Sequence, residues 1–208
     1  MRVWCWAATA LAALHAPAAA LADERIGSVR QAFQVLGGID DGSGQPMAEQ
    51  RPIAELPAHM RSRTIAFASA LAPGSILVKT GARRLYFILP GGQAIEYHVG
   101  VGREGFTWSG TDTVSRKAEW PDWRPPQEMI AREMQKGRVL PAFVPGGPGN
   151  PLGARAIYIG DTQFRIHGTT EPWSIGSAVS SGCIRLIDEE VIDLYDRVRI
   201  GATVMVED

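Results

Sequence analysis

The chain has 208 residues, of which 21 are lysine or arginine and 22 are aspartate or glutamate, giving a formal net charge of −1. This length predicts one domain with room for an appendage, and the balanced charge gives no indication of nucleic acid or anionic lipid as a partner. Glycine and proline number 23 and 14, a composition that favours short strands and turns over a helical bundle.

Residues 1–22 have the pattern of a secretory signal peptide. Arg2 is the only charged residue in this stretch, an apolar run follows from Trp4 to Leu14, and the stretch ends in Ala-Leu-Ala. This order of basic, apolar and A-x-A segments predicts export and cleavage after Ala22. The apolar run is shorter than the roughly 20 residues that span a bilayer, so a signal peptide is favoured over a membrane anchor. We therefore expect an exported mature chain without a membrane segment.

Cleavage after Ala22 would leave Cys183 as the single cysteine, because Cys5 lies in the signal. Exported proteins normally pair their cysteines in disulfides. A single cysteine indicates an intermolecular disulfide, a thiol kept free for chemistry, or a buried inert side chain. The cysteine count leaves these three interpretations open.

Residues 23–72 contain no motif that indicates a reaction or a ligand. A short helix is predicted by apolar residues at helical spacing, namely Ile26, Val29, Phe33 and Leu36. A second helical segment is predicted over residues 58–71. We interpret residues 23–72 as an N-terminal extension of unknown role.

From Pro73 onward, short β-rich runs alternate with turns. Three runs at hairpin spacing predict an antiparallel meander, over residues 75–79, 84–89 and 93–100. Further strands are predicted over residues 113–119, 155–159, 163–167 and 202–206. Short helices are predicted over residues 125–136 and 188–198, with Asp188 near the second helix N-cap. Residues 145–151 predict an irregular loop.

His167 and Cys183, which are 16 residues apart, are the best candidates for a catalytic pair. His167 ends a predicted strand, and Cys183 follows a Ser-Ser-Gly turn. An imidazole beside a thiol can take its proton and later return it to a leaving amine. A zinc site is not predicted, because zinc needs three or four ligands and the mature chain offers only His59 and His98 besides this pair.

The turn before Cys183 has two features that suit acyl transfer. Gly182 lets the backbone approach a substrate without a Cβ in the way. The N–H groups of Ser181, Gly182 and Cys183 could point at one oxygen and form an oxyanion hole.

Two other motifs match known fingerprints but lack the necessary context. Residues 100–105 read G-x-G-x-x-G, which indicates a dinucleotide site only between a strand and a helix, and no helix is predicted after it. Lys79-Thr80-Gly81 matches a motif of serine β-lactamases and penicillin-binding proteins, which also need a Ser-x-x-Lys pair that this sequence lacks.

The sequence resembles the L,D-transpeptidases, with their YkuD-like catalytic domain. The resemblance rests on His-Gly-Thr at 167–169, the glycine at 176, and Ser-Ser-Gly-Cys-Ile-Arg-Leu at 180–186. It extends to residues 97–102, 117–129 and 145–153, and so covers about residues 73–207. Ser181 stands where the family often has histidine, and serine is a common alternative there.

The resemblance implies a mainly β catalytic domain over residues 73–207, a β-sandwich or open barrel with one or two short helices. Cys183 would be the nucleophile and His167 the general base, then the general acid. The carbonyl of Gly168 would orient the imidazole. The backbone N–H groups of Ser181 and Gly182 would form the oxyanion hole.

The resemblance also implies a substrate-binding group of Arg185, Ser180 and Trp123. Arg185 would either meet a substrate carboxylate or stabilise the loop with a structural ion pair, and the residues leave both roles open. Trp123 would either wall the groove or pack in the core. No metal or organic cofactor is implied.

The activity implied by the resemblance is transfer of a peptidoglycan stem peptide from Cys183 to an amine, either on another stem peptide or on a lysine of an outer-membrane lipoprotein. Carbapenem-type β-lactams would be inhibitors. Water as acceptor would instead give an L,D-carboxypeptidase or cross-link hydrolase, and a non-catalytic peptidoglycan-binding protein is the alternative from another class. The unlipidated signal favours the periplasm.

Overall fold

The structure, a computed structural model, describes residues 57–208. Over this range the chain forms short strands and two α-helices. The strands are β1 (Arg63–Ala66), β2 (Ile76–Lys79), β3 (Arg84–Leu89), β4 (Gln93–His98), β5 (Val101–Gly102), β6 (Gly110–Glu119), β7 (Arg155–Ile159), β8 (Arg165–His167), β9 (Ala178–Ser180), β10 (Ile184–Arg185) and β11 (Thr203–Glu207). The helices are α1 (Gln127–Gln135) and α2 (Asp188–Arg197), with 3-10 turns at Ala58–Met60 and Pro172–Ser174.

Nine strands form one sheet in the order β1-β4-β3-β2-β11-β6-β7-β8-β10, and β5 pairs with β9 in a small second sheet. Strands β2, β3 and β4 are antiparallel neighbours, which confirms the predicted meander. Strands β7 and β8 form the predicted hairpin. The mainly β fold class with two short helices is therefore confirmed, and residues 145–151 form no strand or helix.

The helix predicted over residues 58–71 is wrong. A single 3-10 turn is followed by β1, which pairs antiparallel with β4 from Arg63↔Glu96 to Ala66↔Gln93. The edge of β4 supplies backbone hydrogen bonds to this segment, and such non-local pairing overrides a local helical pattern. The helix predicted near Ile26 lies outside the described residues.

The main core lies between the curled sheet and α2. Fully buried residues of the strands include Ile76, Leu85, Ile157 and Ile166, and α2 contributes Val191 and Leu194. Alternate residues along β7 and β8 are buried in this core, as the two-residue period of a strand requires. The G-x-G-x-x-G run at 100–105 is followed by β6 and not by a helix, so the context of a dinucleotide fingerprint is absent from this part of the chain.

Asp188 lies at the start of α2 and joins three parts of the fold. The N-cap position is occupied by Ile187, which makes no side-chain cap, so Asp188 is the first helical residue. Its Oδ1 accepts hydrogen bonds from the backbone N–H of Ala154 at 3.1 Å and of Thr169 at 3.2 Å. The carboxylate therefore fixes the backbone on both sides of the strand pair that carries His167.

Two glycines leave room for this carboxylate. A Cβ on Gly153 or Gly168 would collide with Asp188 Oδ1, and Gly153 has a positive φ of 63°. Burial raises the pKa of Asp188, while the two backbone N–H donors favour its charged form. The segment that follows His167 is thus built around one half-buried acceptor.

We expect Asp188→Ala to lower the free energy of unfolding by about 2–3 kcal/mol, because two backbone donors would lose their acceptor. Asp188→Asn keeps a carbonyl oxygen and should retain part of this stability. Asp196→Ala, an exposed carboxylate on the same helix, is the control and should change stability by less than about 0.5 kcal/mol. Urea denaturation measures all three, and equal effects at positions 188 and 196 would contradict the assignment.

Candidate active site

A cleft of about 160 Å³ opens beside β8 and β10. One wall comes from α1 and the segment after it, including Met129, Arg132 and Leu140. The opposite wall comes from the ends of β8, β9 and β10. The wall residues that sequence analysis singled out are Trp123, His167, Ser180, Ser181, Cys183 and Arg185. The structure therefore brings most of the predicted site residues to one cavity.

The parallel pairing of β8 with β10 places the catalytic candidates together. Ile184 lies opposite Ile166, and Arg185 lies opposite His167. One residue earlier in the same register, Cys183 falls beside Arg165. Side chains alternate along strands, so Cys183 and His167 share the face that lines the cleft. Both side chains line the same cavity.

His167 is buried, with 4% of its surface exposed. Its Nδ1 lies 2.5 Å from the carbonyl oxygen of Gly168. A carbonyl oxygen only accepts, so Nδ1 carries the proton and Nε2 keeps its lone pair. Gly168 therefore has the orienting position that the resemblance implies, and the tautomer with a basic Nε2 is selected.

The pKa of His167 is lowered to about 3. Burial is the main cause, because a charged imidazole loses its hydration there, and the positive charge of Arg185 acts in the same direction. The carbonyl groups of Gly168 and Leu152 oppose the shift. His167 is consequently a neutral base at pH 7.

Cys183 is partly exposed and has no disulfide partner among the described residues. Its thiol donates a weak hydrogen bond to the carbonyl of Gln163, with Sγ 3.8 Å from the oxygen. Burial raises the pKa of Cys183, while the charge and backbone N–H of Arg165 oppose that shift. The resting site thus holds a neutral thiol beside a neutral imidazole.

The turn before Cys183 is held by its own side chain and by close packing. Ser180 Oγ donates to the carbonyl of Cys183 at 2.6 Å and accepts from the N–H of Gly182 at 3.2 Å. Gly182 has a φ of 108°, and a Cβ there would collide with the Phe164 ring and the Phe106 carbonyl. The missing side chain of Gly182 therefore accommodates aromatic packing, whereas the sequence interpretation assigned it to substrate approach.

Arg185 forms an ion pair inside the cleft wall. Its Nη1 lies 2.7 Å from Glu171 Oε2 and donates a longer bond of 3.4 Å to Ser174 Oγ. This pair ties β10 to the segment after His167. Of the two roles that the sequence left open, the structural ion pair is present.

Trp123 combines the two roles considered for it. It is 8% exposed and packs with Val144 and Leu152, while part of its surface lines the cleft. Its backbone pairs with Val144.

Across the cleft, Ser181 Oγ accepts a hydrogen bond of 3.1 Å from Arg132 of α1.

Five charged residues near the site were not singled out for it by sequence reasoning: Arg132, Glu133, Arg165, Glu171 and Asp188. Arg165 carried a detectable signal, because it lies two residues before His167 on a predicted strand and so shares its face. Arg132 and Glu171 come from separate segments, and no local pattern indicated them. Within residues 57–208, no three His, Cys, Asp or Glu side chains are grouped as metal ligands. Neither helix in that range is long and apolar enough to cross a bilayer.

The family model and the curated relatives point to one family. The probable L,D-transpeptidase ErfK/SrfK of Escherichia coli strain K12 is 40% identical over 138 residues, which cover 64% of this chain and 44% of that protein. This chain therefore spans less than half the length of that curated relative. An L,D-transpeptidase structure from Mycobacterium smegmatis is 21% identical, covers 64% of this chain and 58% of that chain, and shares the fold with a TM-score of 0.50.

A structure from Brucella melitensis, named a probable carnitine operon oxidoreductase, is 43% identical over 72% of this chain and 94% of that chain, with a TM-score of 0.48. The model of the L,D-transpeptidase catalytic domain, YkuD, matches residues 73–206. That match takes in the whole of the cleft wall formed by β8, β9 and β10. The chain belongs to the L,D-transpeptidase catalytic domain family.

Proposed function

We propose that this protein is a peptidoglycan L,D-transpeptidase that works through a thioester on Cys183. The observation that carries the proposal is the pairing of β8 with β10, which puts a thiol and a neutral imidazole in one cleft. The donor is a stem tetrapeptide. The bond that breaks joins its third residue, usually a diamino acid at its L centre, to the terminal D-alanine.

In the first step, Cys183 Sγ adds to the carbonyl carbon of this bond while its proton moves to His167 Nε2. The carbon–nitrogen bond then breaks, and the imidazolium gives the proton to the D-alanine amine. The products are free D-alanine and a thioester on Cys183. Because the resting pair is neutral, proton transfer accompanies attack and does not precede it.

The oxygen that becomes negative in this step needs hydrogen-bond donors. We assign this role to the backbone N–H groups of Ser181 and Gly182, which precede the nucleophile. The N–H of Gly182 donates to Ser180 Oγ at 3.2 Å. This hydrogen bond is long, and the negatively charged oxygen of the substrate is a stronger acceptor than a hydroxyl. The N–H of Gly182 therefore exchanges Ser180 Oγ for that oxygen favourably.

In the second step, an acceptor amine attacks the thioester, its proton passes to His167, and Cys183 leaves as a thiol that regains the proton. A diamino acid of another stem gives a 3→3 cross-link, and a lysine of an outer-membrane lipoprotein gives an anchored protein. Water in the same position gives hydrolysis. Analysis of muropeptides after incubation with the purified protein separates these outcomes, since free tripeptides without cross-links would indicate the hydrolase.

The proposed site of action is the periplasm, where stem peptides are exposed. This follows from the signal peptide predicted over residues 1–22, which lies outside the described residues. Carbapenem-type β-lactams are the proposed inhibitors, because their strained amide offers the Cys183 thiol a carbonyl with no separate leaving group.

Replacing the nucleophile tests the proposal directly. We expect Cys183→Ala to abolish stem-peptide transfer and to form no carbapenem adduct, because no other described residue offers a thiol. Mass spectrometry of the peptide that carries position 183 measures the adduct and keeps it distinct from Cys5. The melting temperature should stay close to that of the wild type. Wild-type turnover in this variant would end the proposal.

Replacing the base should slow acylation without removing the thiol. We expect His167→Ala to lower the rate of carbapenem acylation by about 10²–10⁴-fold, the usual contribution of a general base. His59→Ala is the matched control, because His59 is exposed and does not line the cleft. Equal rates in the His167 variant and the wild type would remove His167 from the mechanism.

The lowered pKa of His167 predicts an unusual pH profile. An ordinary histidine would lose base strength as pH falls through about 6.5, whereas this one stays neutral until pH approaches about 3. We expect the second-order acylation constant to show no loss centred near pH 6.5, measured by stopped-flow from pH 7.5 to 4.5. A half-maximal loss of the acylation constant near pH 6.5 would contradict the lowered pKa of His167.

The same pKa affects the stability of the fold, so the profile needs a control. The unfolded chain binds a proton at His167 below about pH 6.5 and the folded chain does not, so this residue destabilises the fold progressively as pH falls from 6.5 towards 3. Circular dichroism at each pH identifies the range in which the protein is folded, and only acylation rates measured within that range are compared.

A further inference from the structure

Arg165 is the charged residue of the cleft that has no partner for its charge. Glu133 is paired with Arg138, and Glu171 is paired with Arg185. The Nε of Arg165 is buried without a hydrogen-bond partner. Three other described arginines share that property, but each forms an ion pair with a glutamate: Arg132 with Glu133, Arg155 with Glu119 and Arg185 with Glu171.

Within residues 57–208, no carboxylate lies within ion-pair distance of Arg165. Its guanidinium has a contact with the ring of Tyr158, 5.5 Å from the centroid. The ring attracts the cation weakly but supplies no negative charge. A half-buried guanidinium without an anion loses hydration and gains little in return, so an anion from outside the protein is the missing partner.

The position of Arg165 shows where that anion would lie. Arg165 precedes His167 by two residues on β8 and falls beside Cys183 in the register of β10. Arg165 lines the same cleft as His167 and Cys183, and its positive charge lowers the pKa of both residues. An anion bound here would sit directly beside the carbon that Cys183 attacks.

We propose that Arg165 binds the carboxylate of the leaving amino acid, the group that is attached to the nitrogen of the bond being cleaved. This inference rests on the proposed function. In a terminal D-alanine, three bonds of about 1.3–1.5 Å join the attacked carbon to the carboxylate carbon, so the two are at most about 4.3 Å apart. A cation next to Cys183 is therefore placed to reach the carboxylate, and Arg165 is the cleft arginine that no glutamate already pairs.

The assignment gives Arg165 a role in substrate selection. A donor that ends in a free carboxylate pairs with the guanidinium, whereas a stem that continues past this residue through an amide offers no charge. The bound carboxylate also neutralises the positive charge of Arg165, which lowers the pKa of His167. The ion pair between Arg165 and the carboxylate therefore makes His167 a stronger base when a suitable donor is present.

β-Lactams supply a probe of this contact, because a carbapenem carries a carboxylate on the carbon bonded to its lactam nitrogen. We compare the free acid of one carbapenem with its methyl ester, on the full chain. The measured quantity is the second-order rate of adduct formation on the peptide that contains Cys183. The variants are Arg165→Gln, Arg165→Lys and Arg116→Gln. Arg116 is an exposed arginine that stacks on the same Tyr158 ring at 3.6 Å, outside the cleft.

We expect Arg165→Gln to slow reaction with the acid by about 10- to 100-fold, the loss of one charged hydrogen bond, and to change the ester rate little. Arg165→Lys should retain part of the acid rate, and Arg116→Gln should match the wild type. Equal slowing of acid and ester, or no slowing of either, would overturn the inference. If the wild type forms no adduct with either compound, the proposed function fails and this inference fails with it.

A comparison within the wild type does not depend on whether the variants fold. The acid-to-ester rate ratio on Cys183 is divided by the same ratio for free cysteine in solution, which removes the intrinsic reactivity of the two compounds. A quotient well above one supports a cation beside the leaving carboxylate. A quotient of one overturns it, even when every Arg165 variant is unstable.

Discussion

The parallel contact between β8 and β10 is the constraint on which the site depends. Each strand is short, at three and two residues, so neither would hold its position alone. The main-chain bond from Leu186 N–H to the His167 carbonyl, 2.9 Å long, extends their pairing. Asp188, the Ser180 hydroxyl and the Arg185–Glu171 pair then fix the turns on either side. This ladder thus holds His167 and, one residue before β10, Cys183, the two groups that we propose to react, and polar contacts around it fix the neighbouring turns.

Burial decides the chemistry that this ladder supports. A thiol and an imidazole in water would form a partly charged pair near neutral pH, because their pKa values lie within a few units of each other. Here burial lowers the pKa of His167 and raises that of Cys183, so both stay neutral. The tautomer fixed by Gly168 keeps Nε2 available throughout. Burial thus disfavours the thiolate of Cys183, which is the form of cysteine most easily oxidised.

Much of this arrangement was predictable from local sequence patterns. The meander of β2, β3 and β4 was indicated by turns at fixed spacing, and the motif that places His167 and Cys183 each at a turn predicted that both would line one cleft. Local patterns failed where a partner is remote. Residues 63–66 form a strand because β4 is available to them, and Asp188 binds N–H groups of residues 154 and 169 rather than its own helix. The sequence could not predict that Arg165 lacks an ion-pair partner, because this depends on where the carboxylates of other segments lie.

The place of β11 in the sheet has a consequence for biosynthesis. Strand β11, residues 203–207, lies between β2 and β6 and is paired with both. A ribosome therefore has to add these residues before the meander can join the half of the sheet that carries the cleft. Without β11 the nine-stranded sheet is interrupted between β2 and β6, although β5 can still pair with β9, and such long-range closure is slow. The continuous nine-stranded sheet therefore cannot be completed before β11 has been synthesised.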